Sequence, residues 1–281
     1  MRVDVVLLTK NSYSKQPQVF QRCLESIKKN VPVNRIIVVD AYSTDETIDV
    51  IKRYFDDVVV VRTRAYRGKA REIGIKLVET EYFMFVDDDV VLCDNWFNKA
   101  IKYFEKDPKV GAVWGVDIPC NPHTLNRVLT VAKVFRYRDF RDRLIENCAW
   151  RGGTHDILIR TDIVKDITIP NHLHIFEDWY IKTWIEKKGY KFVMTKDPYC
   201  LHFVKPCSRK SWEEIGRWEA LLDLKYGLRS FRQICKLYAL AIPKCLAILA
   251  LTGDVKAAQD QYWYYHYLFV HALKVKLRKL V

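Results

Sequence analysis

The sequence contains little glycine and proline and has no Cys-x-x-Cys motif. Its 10 glycines and 9 prolines exclude collagen-like and low-complexity chains. Without paired motifs, its 8 cysteines do not indicate a zinc ribbon or a thioredoxin-like site, so we interpret most of them as reduced core residues. No uninterrupted apolar run reaches about 18 residues, the length expected of a membrane-spanning helix. With 49% apolar residues, the chain can nevertheless form a sizeable core.

A surplus of positive charge is the main compositional feature. Lys and Arg number 47 against 34 Asp and Glu, which gives a formal net charge of +13. Such a surplus favours phosphate-bearing partners, namely a nucleotide, a nucleic acid or an anionic membrane surface. The N-terminal apolar run at 3–8 is too short for a secretory signal and contains Asp4, so we expect a cytoplasmic location.

The first half of the chain alternates predicted strands and helices. Apolar runs predict strands at 3–8, 35–39, 58–61 and 82–86, and helical spacing predicts helices between them. This alternation predicts parallel β-α-β units, in which ligands bind at the carboxyl ends of the strands. After a predicted helix at 96–105 the pattern loosens. Short runs predict strands at 110–114 and 157–159 on either side of a long excursion at 117–150, and two further short strands at 191–194 and 200–203. From about 211 the pattern indicates helices alone. We therefore expect a catalytic domain over 1–210 and a C-terminal helical region over 211–281.

Three consecutive aspartates, Asp87, Asp88 and Asp89, follow the predicted strand at 82–86. Adjacent carboxylates repel one another, so the cluster indicates a site for a hard divalent cation such as Mg²⁺ or Mn²⁺. A solvated acidic turn at a strand exit is the alternative.

Further motifs occur in a fixed order along the chain, and each is weak alone. They are Thr9 and Asn11 after the first strand, Asp40 with residues 43–45 after the second, Gly68, Ala70, Arg71 and Gly74 at a helix start, the aspartate cluster, residues 150–154, and Glu177-Asp178-Trp179. The set, which spans residues 3 to about 205, resembles the family 2 glycosyltransferases. Two departures stand out: Ala41-Tyr42 replaces the usual Asp-Gly, and Glu72 replaces the usual Asn.

The resemblance implies an α/β, GT-A nucleotide-sugar-binding fold, a mostly parallel twisted sheet with helices on both faces, followed by a C-terminal helical region. It also implies a metal-dependent, inverting transfer of sugar from a UDP- or GDP-sugar to a hydroxyl or lipid-phosphate acceptor, namely a glycan or a polyprenyl phosphate or other lipid. The implied roles are nucleotide-sugar binding by Thr9, Asn11, Asp40, Arg71, Asp87 and Asp88; an acceptor loop of Arg151, Gly152 and Gly153; Mn²⁺ or Mg²⁺ binding by Asp89 and His202; and catalysis by Asp178 as general base, oriented by Glu177.

Each of these residues also has a structural interpretation. The alternatives are an Asn11 bonded within its own loop, a solvent-facing Asp40, a surface Arg71, an ordinary turn at Gly152-Gly153, a helix-dipole role for Glu177-Asp178 and a structural His202. A nucleic-acid-binding protein would explain the charge but not the acidic motifs, and we expect no nucleic-acid partner. A nucleotidyltransferase on a related sheet is a second alternative, although its glycine-rich first loop is missing from 9–16.

A basic segment at 133–143 alternates cations with aromatic residues. The segment could form a lid or capture an acceptor phosphate. The alternative is a solvated helix with Arg138/Asp142 and Asp139/Arg143 pairs at i,i+4 spacing.

The C-terminal region combines an apolar run with aromatic residues and a basic tail. The run at 237–251 contains Pro243 and one charge, Lys244, and would span about 22 Å as a helix, short of the bilayer core. Aromatics at 262–269 precede a tail with Lys274, Lys276, Arg278 and Lys279. The pattern favours peripheral contact with the cytoplasmic membrane face through 231–281, which would suit a polyprenyl-phosphate or other lipid acceptor. A packed helical hairpin is the alternative.

Overall fold

The computed structural model describes residues 1–134, 136–204 and 207–278. Its contacts divide the chain into two compact units: Met1–Pro119 with Arg141–Phe203, and Cys120–Phe140 with Val204–Val281. The second unit therefore includes residues 120–140 in addition to C-terminal helices, which a single boundary near 210 does not anticipate. Phe135 of the basic segment and Lys279 of the basic tail lie outside the described residues.

Eight strands among the described residues form one mixed sheet in the first unit, in the order β3-β2-β1-β4-β7-β6-β8-β5. Four of the pairings are parallel, and β7 runs antiparallel to both of its neighbours. The strands are β1 (Val3–Thr9), β2 (Val33–Asp40), β3 (Val58–Arg62), β4 (Tyr82–Asp87), β5 (Val90–Leu92), β6 (Val110–Pro119), β7 (Asp156–Arg160) and β8 (Lys191–His202).

Helices connect the strands and make up the C-terminal region. They are α1 (Ser12–Lys15), α2 (Pro17–Asn30), α3 (Thr47–Tyr54), α4 (Arg67–Leu77), α5 (Trp96–Lys106), α6 (Pro122–Val134), α7 (Phe140–Cys148), α8 (Thr161–Val164), α9 (Glu177–Lys187), α10 (Arg209–Tyr226), α11 (Phe231–Ala239), α12 (Ala241–Thr252) and α13 (Val255–Arg278). The helix α2 illustrates the packing. Pro17 occupies its first turn, where a missing N–H is harmless, and Phe20, Leu24 and Ile27 lie buried along one face against the sheet.

Strand β6 continues beyond the predicted end at residue 114, and β8 replaces two predicted short strands at 191–194 and 200–203. The pairing between β6 and β8 shifts register after Gly115, so that residues 196–198 form an irregularity within one continuous strand. Beyond it, Asp117 pairs with Cys200 and Pro119 pairs with His202. The extension thereby brings Asp117 beside the end of β8.

In its described part, the basic segment is not one continuous helix, which was one of the two interpretations left open. Helix α6 ends at Val134 and α7 begins at Phe140, and residues 136–139 are not helical. Within the first unit, Asp142 pairs with Lys196 at 2.8 Å and Arg143 with Glu146 at 3.7 Å.

In the second unit, a buried ion network fixes the turn after α10. Arg229 bonds Glu219 at 3.0 Å and Asp223 at 2.6 Å, while the Tyr264 hydroxyl donates to Glu219 at 2.8 Å. At the crossing of α10 and α13, a Cβ on Gly216 would lie 2.7 Å from the backbone of Tyr267, so only glycine permits the close approach.

Helix α12 is the most apolar part of the second unit. Ala241 and Ile248 are buried, whereas Ile242 and Leu246 are 61% and 60% exposed. Its one charge, Lys244, donates to the Tyr265 hydroxyl at 3.0 Å. By length and composition, the stretch Phe231–Thr252 would be able to cross a membrane, and 17% of its most apolar window is buried. This stretch is longer than the predicted 237–251 run because α11 precedes α12 with a break only at Leu240.

Candidate active site

The carboxyl ends of three neighbouring strands define the candidate site. Strand β1 lies between β2 and β4, parallel to both, with Thr9 opposite Asp40 and Leu8 opposite Asp87. Side chains from two sequence motifs far apart in the chain therefore meet at one edge of the sheet, as the alternation of elements predicts.

Asp40 is fully buried at this edge and is held by internal donors. Its Oδ1 accepts from the Thr9 hydroxyl at 2.8 Å and from the Ser43 hydroxyl at 2.5 Å, while Oδ2 accepts from the Ser43 amide at 2.8 Å. Arg62 adds a cation 3.8 Å from Oδ2. The carboxylate is thus a fixed acceptor inside the fold, and the alternative of a solvent-facing strand end does not hold.

The loop after β1 is tied to the loop after β2. Asn11 adopts a left-handed conformation with φ of 50°, its amide donates to Ser43 Oγ, and its Oδ1 accepts from the Thr44 amide, both at 2.8 Å. Asn11 therefore has a loop-bracing role. Tyr42, one of the departures from the family pattern, also has positive φ, at 57°, and lies half exposed beneath the Arg64 guanidinium.

Arg71 joins the aspartate cluster to the Glu-Asp pair. Its Nη2 lies 2.9 Å from Asp87 Oδ1, its Nε lies 3.4 Å from Glu177 Oε1, and its guanidinium lies over the ring of Phe85. Only 1% of the residue is exposed. The structure places Arg71 inside the fold between two carboxylates, and the diphosphate contact that the resemblance implies stays a prediction. This placement also excludes the alternative of a surface arginine.

The three aspartates experience different electrostatic environments. Burial alone would raise the pKa of Asp87, but Arg71 holds that pKa well below its usual range. The pKa of Asp88 is raised to about 6 by burial, with further contributions from Asp89 and Asp87, although the Ser12 hydroxyl hydrogen-bonds the carboxylate and opposes the rise. Like charges at this edge are therefore only partly compensated by the chain itself, which is the electrostatic condition that favours a bound cation.

His202 lies between two carboxylates at the end of β8. Its Nε2 is 3.4 Å from Asp89 Oδ1, and its Nδ1 is 3.0 Å from Asp117 Oδ2. The His155 ring packs on the His202 ring with centroids 4.6 Å apart. Ligand atoms of Asp117, His155 and His202 all lie within 4.8 Å of one another. A carboxylate on one ring nitrogen, which leaves the other nitrogen facing a second carboxylate, is a common environment for a metal-binding histidine.

The glycine-rich loop and the Glu-Asp pair meet through one ion pair. Arg151 Nε lies 2.6 Å from Asp178 Oδ2, and the Trp179 amide donates to Asp178 Oδ1 at 2.8 Å. Burial raises the pKa of Asp178, and Arg151 opposes that rise. Asp178 therefore combines the raised proton affinity of a buried carboxylate with a cation that favours its charged form.

The two glycines of this loop have separate structural requirements. Gly152 has a φ of +80°, a conformation that L side chains rarely adopt, and a Cβ on Gly153 would lie 2.4 Å from the Trp114 indole. The loop packs closely over Trp114, so a turn requirement and a packing requirement both account for glycine here.

Two residues of the site, Asp117 and His155, are missed by the sequence analysis. Asp117 falls within the region interpreted as an excursion, because the predicted strand ends at 114. His155 directly follows the glycine-rich motif at 150–154, so its position next to that motif was the available signal. Glu72, the second departure, has a structural role, since it pairs with Lys69 at 2.6 Å and accepts from the Ile169 amide at 2.7 Å.

The fold is that of the GT-A class, and comparison with known proteins identifies the family. The profile described as Glycosyl transferase family 2 matches residues 4–168, more than half of the chain. The chain belongs to this family. The family assignment and the GT-A architecture implied by the motif order are both confirmed.

Curated relatives are similar at a lower level. Poly-beta-1,6-N-acetyl-D-glucosamine synthase of Staphylococcus epidermidis is 25% identical over 251 residues, which cover 80% of this chain and 60% of the relative. The synthase of Staphylococcus aureus strain COL is 25% identical over 194 residues, which cover 65% of this chain and 46% of the relative. The matched part thus spans about 60% or less of these relatives.

Solved structures share the fold at low sequence identity. The mannosyltransferase PcManGT from Pyrobaculum calidifontis, in complex with GDP-Man and Mn²⁺, has a TM-score of 0.63 at 18% identity over 99% of this chain and 88% of that one. TarS of S. aureus, in complex with UDP, has a TM-score of 0.52 at 17% identity, over 99% of this chain and 92% of TarS 1–349. Glucosyl-3-phosphoglycerate synthase from Mycobacterium tuberculosis, with Mn²⁺, UDP and phosphoglyceric acid, has a TM-score of 0.54 at 15% identity over 82% and 80%.

Proposed function

We propose that this chain is a metal-dependent, inverting glycosyltransferase that moves a sugar from a UDP- or GDP-sugar to a hydroxyl or lipid-phosphate acceptor. The observation that carries the proposal is the position of Arg71, which bonds both Asp87 and Glu177. One buried side chain thereby places the aspartate cluster beside the Glu-Asp pair, as transfer between a bound donor and an activated acceptor requires.

Asp40 and the first loop supply the donor site in this proposal. A buried carboxylate already held by Thr9 and Ser43 is a fixed acceptor for a base N–H, which uracil and guanine both present. The bound nucleotides of the structural neighbours, GDP-Man, UDP and UDP-GlcNAc, support these two bases. Asn11 shapes the loop, while Asp87 and Asp88 lie where the sugar-diphosphate portion would follow.

The residues at the ends of β4 and β8 fit a divalent cation. Asp89 offers a carboxylate oxygen and His202 an imidazole nitrogen 3.4 Å from it, with Asp117 fixing the ring from the other side. Asp89 and His202 would hold Mn²⁺ or Mg²⁺, which supplies charge neutralisation for the leaving diphosphate when bound. Mn²⁺ in two structural neighbours supports this assignment.

Asp178 acts as the general base in the proposed reaction. Inverting transfer is a single displacement, so the acceptor hydroxyl loses its proton as its oxygen attacks the anomeric carbon opposite the nucleotide. The burial-raised pKa of Asp178 suits a proton acceptor, and Arg151 orients the carboxylate from the glycine-rich loop. Glu177, held by Arg71, positions the start of α9 and with it Asp178.

Membrane contact through the second unit is part of the proposal, because it would bring a lipid-linked acceptor to the enzyme. The exposed apolar face of α12 and the exposed cations Lys274 and Lys276 of α13 support contact with an anionic lipid surface.

A nucleotide screen tests the proposal. Thermal unfolding of the full chain is followed with UDP, GDP, ADP or CMP, each with and without Mn²⁺. A ligand that binds only the folded state raises the Tm. We expect UDP or GDP to raise it in the presence of Mn²⁺, and we expect no rise with ADP, with CMP or without Mn²⁺. Equal shifts with all four nucleotides, or none, would contradict the assignment of the donor site.

A further inference from the structure

His155 lies in the candidate site with its ring packed on that of His202. It directly precedes β7, and its backbone carbonyl accepts from the Asp87 amide at 2.9 Å. That bond ties the first residue of the aspartate cluster to the start of the adjacent antiparallel strand. His155 is consequently held at a fixed height in the sheet, next to the strand end that carries Asp89.

One imidazole nitrogen of His155 has no hydrogen-bond partner among the described residues. This atom, Nδ1, is also buried. A buried polar nitrogen without a partner costs about 1–3 kcal/mol, so such a group is normally satisfied by water or a ligand. The neighbouring His202, in contrast, has a carboxylate near each of its two nitrogens.

The surrounding groups are those of a metal site. Ligand atoms of His155, His202 and Asp117 lie within 4.8 Å of one another, and Asp89 approaches His202 from the remaining side. Two imidazoles with carboxylates form a donor set that suits Mn²⁺ and other transition ions, whereas Mg²⁺ prefers oxygen ligands and bound water.

We propose that His155 is a second imidazole ligand of the metal held by His202, that Asp117 positions the His202 ring, and that this two-imidazole site selects Mn²⁺ over Mg²⁺. The inference deepens the proposed function and rests on it for the reaction served, but its geometry concerns the metal alone. It assigns one metal where the motifs leave Mn²⁺ and Mg²⁺ equally open.

The full chain is titrated with Mn²⁺ alone, and EPR measures both free Mn²⁺ and the ¹⁴N couplings of the bound ion. The wild-type protein should show couplings from two imidazoles and bind Mn²⁺ at least about tenfold more tightly than Mg²⁺ in competition. The variant His155→Phe keeps a ring against His202 but removes both nitrogens. It should lose one coupling and about 10- to 100-fold in Mn²⁺ affinity, a loss of the size seen when support for a metal site is removed.

Two further variants make the result decisive. His155→Gln provides the same test if the phenylalanine variant does not fold, as judged by circular dichroism. His266→Phe is the matched control, because His266 also packs on an aromatic ring, that of Tyr262, but in the second unit. It should bind Mn²⁺ like the wild type.

Unchanged Mn²⁺ affinity and unchanged ¹⁴N couplings in the His155 variants would overturn the inference, as would a wild-type protein without any imidazole coupling. These readouts need neither nucleotide nor sugar. A site with two imidazole couplings in a chain that transfers no sugar would refute the proposed function and leave this inference standing. Mn²⁺-dependent sugar transfer that does not depend on His155 would refute this inference and leave the proposed function standing.

Discussion

Arg151 Nε and Asp178 Oδ2 lie 2.6 Å apart, which joins the glycine-rich loop to the start of α9 by a charge-assisted hydrogen bond. The guanidinium also packs over the ring of Phe176, whose φ of 68° turns the chain into the helix. The proposed base is thus oriented by a residue that the motif order assigns to the acceptor loop. Loop and base form one structural unit.

Removal of Arg151 should change the pH dependence of transfer. Burial raises the pKa of Asp178 and Arg151 lowers it, so Arg151→Gln should raise that pKa further. Because the base must be deprotonated, activity is lost as pH falls through this pKa. The acid limb of the kcat/KM profile should therefore move to higher pH. Arg53→Gln, at an exposed arginine, is the control and should leave the profile unchanged. An acid limb that does not move in Arg151→Gln would show that Arg151 does not lower the pKa of the base.

Asp89→Ala should abolish Mn²⁺-dependent nucleotide binding while the protein remains folded. The substitution removes the carboxylate 3.4 Å from His202 Nε2 and leaves the buried strand β4 intact. Calorimetry with UDP or GDP measures the loss. The matched control is Asp94→Ala, since that side chain is 77% exposed and pairs only with the surface residue Lys29 in the described contacts. Unchanged affinity and metal dependence in Asp89→Ala would remove Asp89 from the metal site.

The double variant Ile242→Asp/Leu246→Asp should bind anionic liposomes at least about tenfold more weakly than the wild type. Burial of each apolar side chain contributes about 1.5–3 kcal/mol, and both side chains are exposed on the same face of α12. Cosedimentation measures the change. Leu129→Asp, on α6, provides a control in which an exposed leucine elsewhere receives the same charge. If the wild-type protein never cosediments, the packed-hairpin interpretation is the correct one.

The sequence predicts the parallel half of the sheet and the polar strand ends well, because both arise from local patterns. A β-branched run such as 35–39 forms a strand in almost any α/β context, and Asp40 at its end must then lie at the carboxyl edge. The positions of Thr9 and Asp87 beside it follow from the parallel order. Residue type, periodicity and one topological rule are sufficient there.

The antiparallel half of the site depends on pairings between distant segments and was not predictable in the same way. Asp117 lies in the site only because β6 continues past the Gly115 register shift along β8. His155 is placed by the antiparallel insertion of β7 beside β4, which no local periodicity encodes. The burial of Arg71 also depends on distant segments. It is possible only because Asp87 and Glu177, which are 16 and 106 residues away in the sequence, accept its hydrogen bonds.

The rate of sugar transfer by Asp178→Asn tests the central claim most directly. The substitution preserves size but removes the basic oxygen. Donor affinity should change little, because the proposed nucleotide contacts lie at the ends of β1, β2 and β4. General-base assistance is typically worth about 10²–10⁴ in rate, so the single-turnover rate of the variant should fall by at least about 100-fold. The wild-type product should be inverted at the anomeric carbon. Asp166→Asn, an exposed aspartate paired with Lys188, should retain the wild-type rate. Transfer by Asp178→Asn at near wild-type rate, or a wild-type product of retained configuration, would contradict the account.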